Sequence, residues 1–169
     1  PARFEGNYSD FSSVQPHTSV ITTETLEADV HATYKWLSTQ NDVIKDKIGC
    51  IGFCLGGRVS FIANSILPLK AAVSFYAGNM HTVLDRATQL HAPQVFFWGG
   101  KDQHIKPEHV AAVIAAIRAA GKEFTNIEIS YGDHGFFRHG HATYNEAAAS
   151  EAWGMARVFL QNKLGQKLS

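Results

Sequence analysis

The chain has 169 residues, 45% hydrophobic and 18% charged, which suits one globular domain with a sizeable core, and nothing argues for a second. Fifteen basic and fifteen acidic residues cancel, leaving no electrostatic footprint for nucleic acid or an anionic membrane. No apolar run approaches the roughly 20 residues that a membrane helix needs. The two cysteines, Cys50 and Cys54, support neither a disulfide framework nor a paired C-x-x-C metal site, and two free thiols fit a reducing compartment. The expectation is a cytoplasmic protein that acts on small molecules, without metal or cofactor, as a monomer or weak homodimer.

Residues 1–21 show no sustained period and are rich in Ser, Asn, Asp and Pro, so they read as a loop. A helix is expected from about Thr23 to Gln40, with Leu26, Val30, Tyr34 and Leu37 on one face and Glu24 and Glu27 in its first turn. Residues 48–53 read as a buried strand, and the pattern becomes helical again in RVSFIANSI. Residues 70–76 and 94–98 are short apolar runs rich in β-branched and aromatic residues, hence strands, and residues 78–92 between them have no clear assignment. KPEHVAAVIAAIRAAG is the clearest helix: Pro107 suits its first position, Val110, Val113, Ile114 and Ile117 form its apolar face, and Gly121 suits its end. A strand at 126–131 follows. A last helix from about Asn145 to Lys163 has Trp153, Ala156, Leu160 and Leu164 as its expected buried stripe. Strands alternating with helices in this way make an α/β fold, with helices covering both faces of a mostly parallel sheet.

GFCLGG, residues 52–57, places Cys54 between a predicted strand and a predicted helix. A nucleophile elbow needs small residues two before and two after the nucleophile, because the strained turn brings backbone close on both sides; Gly52 and Gly56 meet that need. In such a turn the backbone N–H of Leu55 points at a developing oxyanion. The alternative is a small buried cysteine beside a glycine turn. A thiol nucleophile also needs a base, and the base needs a group to hold it. Asp102 lies just beyond one strand and His134 just beyond the next, in the chain order nucleophile, acid, histidine. RHGH adds His139 and His141, but no carboxylate motif accompanies them to make a metal site.

IGFCLGG, WGGKDQHIKP, GDHGFFR and YNEAAASEAWGMARVFL together resemble the dienelactone hydrolase family of α/β-hydrolases, from about Thr22 to Leu164. The resemblance implies a Cys54–His134–Asp102 triad acting on lactones or activated esters through a thioester. It also implies an arginine, Arg138, for a substrate carboxylate, and an aromatic pocket position at Tyr76. The family's initial strands, its second oxyanion donor and a glutamate that contacts the resting thiol have no counterpart in these residues. The whole chain, 1–169, therefore resembles the C-terminal two-thirds of a single α/β-hydrolase domain. Two other readings stay open: a promiscuous esterase or phosphoesterase of the same architecture, and a non-catalytic α/β binding module that keeps the elbow as a structural turn.

Overall fold

The computed structural model describes residue 12, residues 15–18 and residues 20–165. Within the stretch expected to be loop, Gln15–Thr18 closes a single helical turn, α1, in which the Thr18 hydroxyl donates to the Gln15 carbonyl at 3.1 Å. Pro16 fits this turn because its fixed φ is already helical. The rest of that expected loop, apart from residues 12, 20 and 21, lies outside the described residues. Helix α2, Thr23–Thr39, starts at a reciprocal cap between Thr22 and Thr25. Only Glu24 occupies its first turn; Glu27 sits further along and forms an ion pair with Arg86.

Four strands follow: β1 Gly49–Phe53, β2 Ala71–Phe75, β3 Gln94–Gly99 and β4 Phe124–Ile129. They lie side by side in the order β1-β2-β3-β4, every neighbouring pair parallel. Helix α3, Leu55–Ile66, connects β1 to β2, and α4, Pro107–Ala119, connects β3 to β4. The unassigned segment between β2 and β3 is a 3₁₀ stretch, Met80–Gln89, kinked at Val83, and it packs on α4. The α/β architecture expected from the sequence is the one observed.

Alternation along β3 places helices on both faces of the sheet. Phe96 packs against Phe61 of α3, while Val95 on the other face shares a groove with Met155, Val158 and Phe159 of the last helix, α5, Glu146–Leu164. The buried stripe of α5 is Ala148, Ala149, Ala152 and Ala156, not the larger residues expected: Leu160 is half-buried and Trp153 is 40% exposed. Small side chains let the helix approach β2 and β3 closely, which a tryptophan on that stripe would prevent. Trp153 instead lies edge-on to Phe137, 5.9 Å between ring centroids.

A chain of buried polar groups ties α3 to the centre of the sheet. The Asn64 amide donates to the Ala92 carbonyl and to Gln94 Oε1, Gln94 Nε2 donates to the Ser74 hydroxyl, and Ser74 donates to the Gly57 carbonyl, all at 2.7–3.0 Å. Each member is satisfied, as buried polar groups must be for the network to stabilise rather than penalise the core. No helix among the described residues is long and apolar enough to cross a membrane.

Candidate active site

Cys54 stands between the end of β1 and the start of α3 with φ 55° and ψ −118°, a backbone conformation that costs a non-glycine residue energy. Its surroundings hold it there. The Cys54 N–H donates to the Phe75 carbonyl at 3.0 Å, and its own carbonyl accepts from Gly57 N–H at 3.0 Å. A Cβ on Gly52 would fall 1.8 Å from the Gly56 carbonyl oxygen, so only glycine fits at that position. The second close approach is at Gly57, where a Cβ would meet Ala77 at 2.8 Å, and not at Gly56, where a Cβ would meet nothing within 4 Å. The small residue that the turn demands after the nucleophile is thus one position later than the sequence spacing implies. It is set by the contact between the first turn of α3 and the backbone leaving β2.

Asp102 and His134 come to the same place from the loops after β3 and β4. His134 Nδ1 lies 2.8 Å from Asp102 Oδ2, and His134 Nε2 lies 3.3 Å from Cys54 Sγ. The other carboxylate oxygen of Asp102 accepts from the N–H groups of His104 and Ile105 at 2.7 and 3.0 Å. With its side chain only 2% exposed, the carboxylate is fixed in orientation and shielded from water. Burial alone would push its pKa up, but the hydrogen bonds from His134, His104 and Ile105 outweigh that and leave it below the usual carboxylate range. His134 is pushed up to about 9, first by its hydrogen bond to Asp102 and then by the one to Cys54. The hydrogen bond from His134 holds the Cys54 thiol below its ordinary range against the opposing effect of burial, and the Leu55 N–H adds to this. The other thiol behaves in the opposite way: burial pushes Cys50 up to about 11, beside Ser60 in the core side of β1.

Cys54 and His134 open onto a cleft of about 730 Å³, a volume typical of small-molecule sites, with Asp102 buried behind the imidazole. Tyr76 lines it from the end of β2, its ring 5.3 Å from that of His134 and 5.2 Å from that of Phe136, and burial raises its hydroxyl pKa. Arg138 lines it too, on the turn after His134. All the residues singled out from the sequence therefore converge here: Cys54, Leu55 beside it, Asp102, His134, Tyr76 and Arg138. Other lining residues were not singled out. Phe53 stacks on Phe75 at 4.7 Å and meets Phe137 at 5.1 Å, forming an aromatic wall, and the His104 ring stands edge-on to His134 at 5.0 Å. Their sequence signal is only proximity: each lies within three residues of a triad member.

Residues 6–164 match the model of the dienelactone hydrolase family. The chain belongs to the dienelactone hydrolase family. A Synechocystis relative named "Putative carboxymethylenebutenolidase" is 26% identical over 81% of this chain and 59% of its own length. One of the same name from Salmonella typhimurium is 29% identical over 88% of this chain and 60% of its own. The chain thus spans about three-fifths of these curated relatives. Among solved structures, a "Putative Dienelactone Hydrolase" from Klebsiella pneumoniae superposes with a TM-score of 0.83 at 25% identity, covering 90% of this chain and 68% of that one. A dienelactone hydrolase-like promiscuous phosphotriesterase from metagenomic libraries shares the fold, with a TM-score of 0.80 at 20% identity, covering 93% of this chain and 69% of that one.

Proposed function

We propose that this dienelactone hydrolase-family protein hydrolyses lactones or activated carboxylic esters through a thioester on Cys54. The observation that carries the reading is the continuous path from Asp102 through both nitrogens of His134 to Cys54 Sγ, at 2.8 and 3.3 Å, on a strained strand-to-helix turn. In this mechanism the thiolate, paired with the His134 imidazolium, attacks the substrate carbonyl, and the Leu55 N–H stabilises the oxyanion. Collapse of the tetrahedral intermediate expels the alkoxide or enolate, which takes the proton from His134 Nε2. Neutral His134 then removes a proton from water, which attacks the thioester and releases the acid and the thiolate. Asp102 holds the imidazole in the required orientation and stabilises its cationic form.

Sulfur favours substrates with good leaving groups, because a thiolate departs from the tetrahedral intermediate more readily than an alkoxide. Enol lactones and aryl esters meet that requirement, and simple alkyl esters do not. Arg138 and the aromatic wall of Phe53, Tyr76 and Phe137 suit a flat acyl group carrying a carboxylate. The elbow supplies one oxyanion donor. The reading calls for a second from a segment lying along the free edge of β1, which has a strand partner on one side only among the described residues.

The test is to quench a reaction with 4-nitrophenyl acetate at low pH and measure the protein mass and its peptides. An added acetyl group on the peptide containing Cys54, formed and lost at rates compatible with turnover, is the expected result. Turnover without any adduct on Cys54 would remove the thioester, and absence of turnover on every lactone and ester tried would favour the binding-module reading.

A further inference from the structure

We infer that His141 is a second anion-recognising residue of this cleft, hydrogen-bonding beside Arg138 to a carboxylate of the substrate; the inference rests on the reading of Cys54 as the nucleophile of the same site. His141 and Arg138 line the cleft that contains Cys54. They stand three residues apart on a loop built from consecutive turns: Arg138 N–H donates to Gly135 at 2.8 Å, His141 N–H to Arg138 at 3.1 Å, and Tyr144 N–H to His141 at 3.0 Å. A further bond from Asn145 N–H to the Phe136 carbonyl at 3.0 Å closes the loop at its base. The two basic side chains are therefore carried on one stiff platform. The two histidines of RHGH differ in what they meet: His139 lies edge-on to Tyr144 at 5.1 Å, whereas His141 faces the site.

The contacts of His141 favour one arrangement of the ring hydrogen. Its Nδ1 lies 3.0 Å from the Thr143 hydroxyl and accepts from the Thr143 backbone N–H at 3.5 Å. A backbone N–H can only donate, so this contact suits the tautomer in which Nδ1 accepts and Nε2 carries the hydrogen. The Thr143 hydroxyl can then donate to Nδ1 as well, reinforcing the same tautomer. Nε2–H is then a donor for a ligand in the cleft that Arg138 also lines, and a guanidinium recognises carboxylates through two parallel hydrogen bonds. The acidic residue nearest the cleft base, Asp133, is engaged by the His134 N–H at 2.6 Å.

The experiment compares mono-4-nitrophenyl glutarate, which carries a carboxylate, with 4-nitrophenyl butyrate, which does not, and separately titrates glutarate against the protein by NMR shift changes. In His141→Ala, kcat/KM for the glutarate ester is expected to fall about tenfold, since a hydrogen bond to a charged group is lost, while butyrate changes less than about twofold. Glutarate affinity should weaken by a similar factor. His141→Gln, whose amide nitrogen reaches near the Nε2 position, should recover to within about threefold; His141→Asn should not. Equal losses on both esters, an unchanged ratio, or a Gln variant no better than Ala would overturn the assignment. If glutarate binding responds as expected but the parent protein turns over neither ester, the nucleophile reading fails and the His141 contact stands. If the parent turns over both and His141→Ala leaves the ratio and the affinity unchanged, His141 falls and the nucleophile reading stands.

Discussion

β2 and β3 each have a strand on both sides, with residues 71–75 and 94–98 buried throughout, whereas β1, which leads to Cys54, has a strand on one side only among the described residues, with Ile51 39% and Phe53 37% exposed. Between β1, α2 and α3 lies an apolar groove of about 400 Å³, while the interior around β2 and β3 is filled by stacked phenylalanines, Phe75 on Phe97 at 4.6 Å. Among the described residues, packing is densest on these two strands, and the strained turn at Cys54 follows a strand that has a partner on one side only. The dense region holds the elbow indirectly, through the Phe75 carbonyl and the Ser74–Gly57 bond. The elbow itself adds strain instead of stability.

The largest expected effect is at the margin and is kinetic. Cys54→Ala should reduce kcat/KM on activated esters by about 10³-fold or more, with an unfolding midpoint equal to or above that of the parent, because the substitution removes the nucleophile and no packing. Activity within tenfold of the parent would break the division between the two regions. Next is Phe75→Ala, in the interior: the side chain is fully buried, and its loss should cost about 3–5 kcal/mol of unfolding free energy in denaturant titration. Smaller again is Gln94→Leu, which keeps the volume and removes the link between Asn64 and Ser74. A cost of about 1–3 kcal/mol is expected, since partners are left unsatisfied in the core. The smallest is Ile51→Thr on β1, where exposure on one side and a β-branched replacement should keep the change within about 0.5 kcal/mol. A loss there as large as that at Phe75 would mean that the edge is packed in solution.

Much of this was legible from local pattern. β1, β2 and β3 are short apolar runs bounded by turn residues, β4 lies at Phe124–Ile129, two residues before the 126–131 expected, and α2, α3, α4 and α5 start and stop within a few residues of where periodicity and caps place them. Chain order, with each residue standing just past a strand, marks Cys54, Asp102 and His134, which the structure brings within hydrogen-bonding reach of one another. What pattern could not provide was closeness between elements. Periodicity marks where large apolar residues recur, so it chose Trp153 for the α5 stripe, although the approach of that helix to the sheet selects alanines. Spacing chose Gly56, although the contact with Ala77 and Phe75 falls on Gly57. The cleft walls Phe53, His104 and Phe137 come from three different segments, and their sequence signal is only their nearness to Cys54, Asp102 and His134. The kinked Met80–Gln89 stretch has 3₁₀ geometry, for which a period of 3.6 is the wrong template.

Activation of the Cys54 thiol by His134 can be measured within one protein, because the chain's two cysteines stand in opposite surroundings. The rate of alkylation by iodoacetamide, followed peptide by peptide across pH 5–11, reads the thiolate population at each. The structure holds Cys54 below the ordinary thiol range of about 8.5, through its hydrogen bond from an imidazole raised to about 9, and holds Cys50 up at about 11. As pH rises, the Cys54 thiolate therefore forms first and is paired with cationic His134 until the imidazole loses its proton. The predicted result is alkylation of Cys54 that is faster, and levels off at lower pH, than in the unfolded protein, with Cys50 scarcely reacting until strongly alkaline pH. Cys54 alkylating no faster and levelling off at no lower pH than in the unfolded protein, with a rate unchanged by His134→Gln, would contradict that activation.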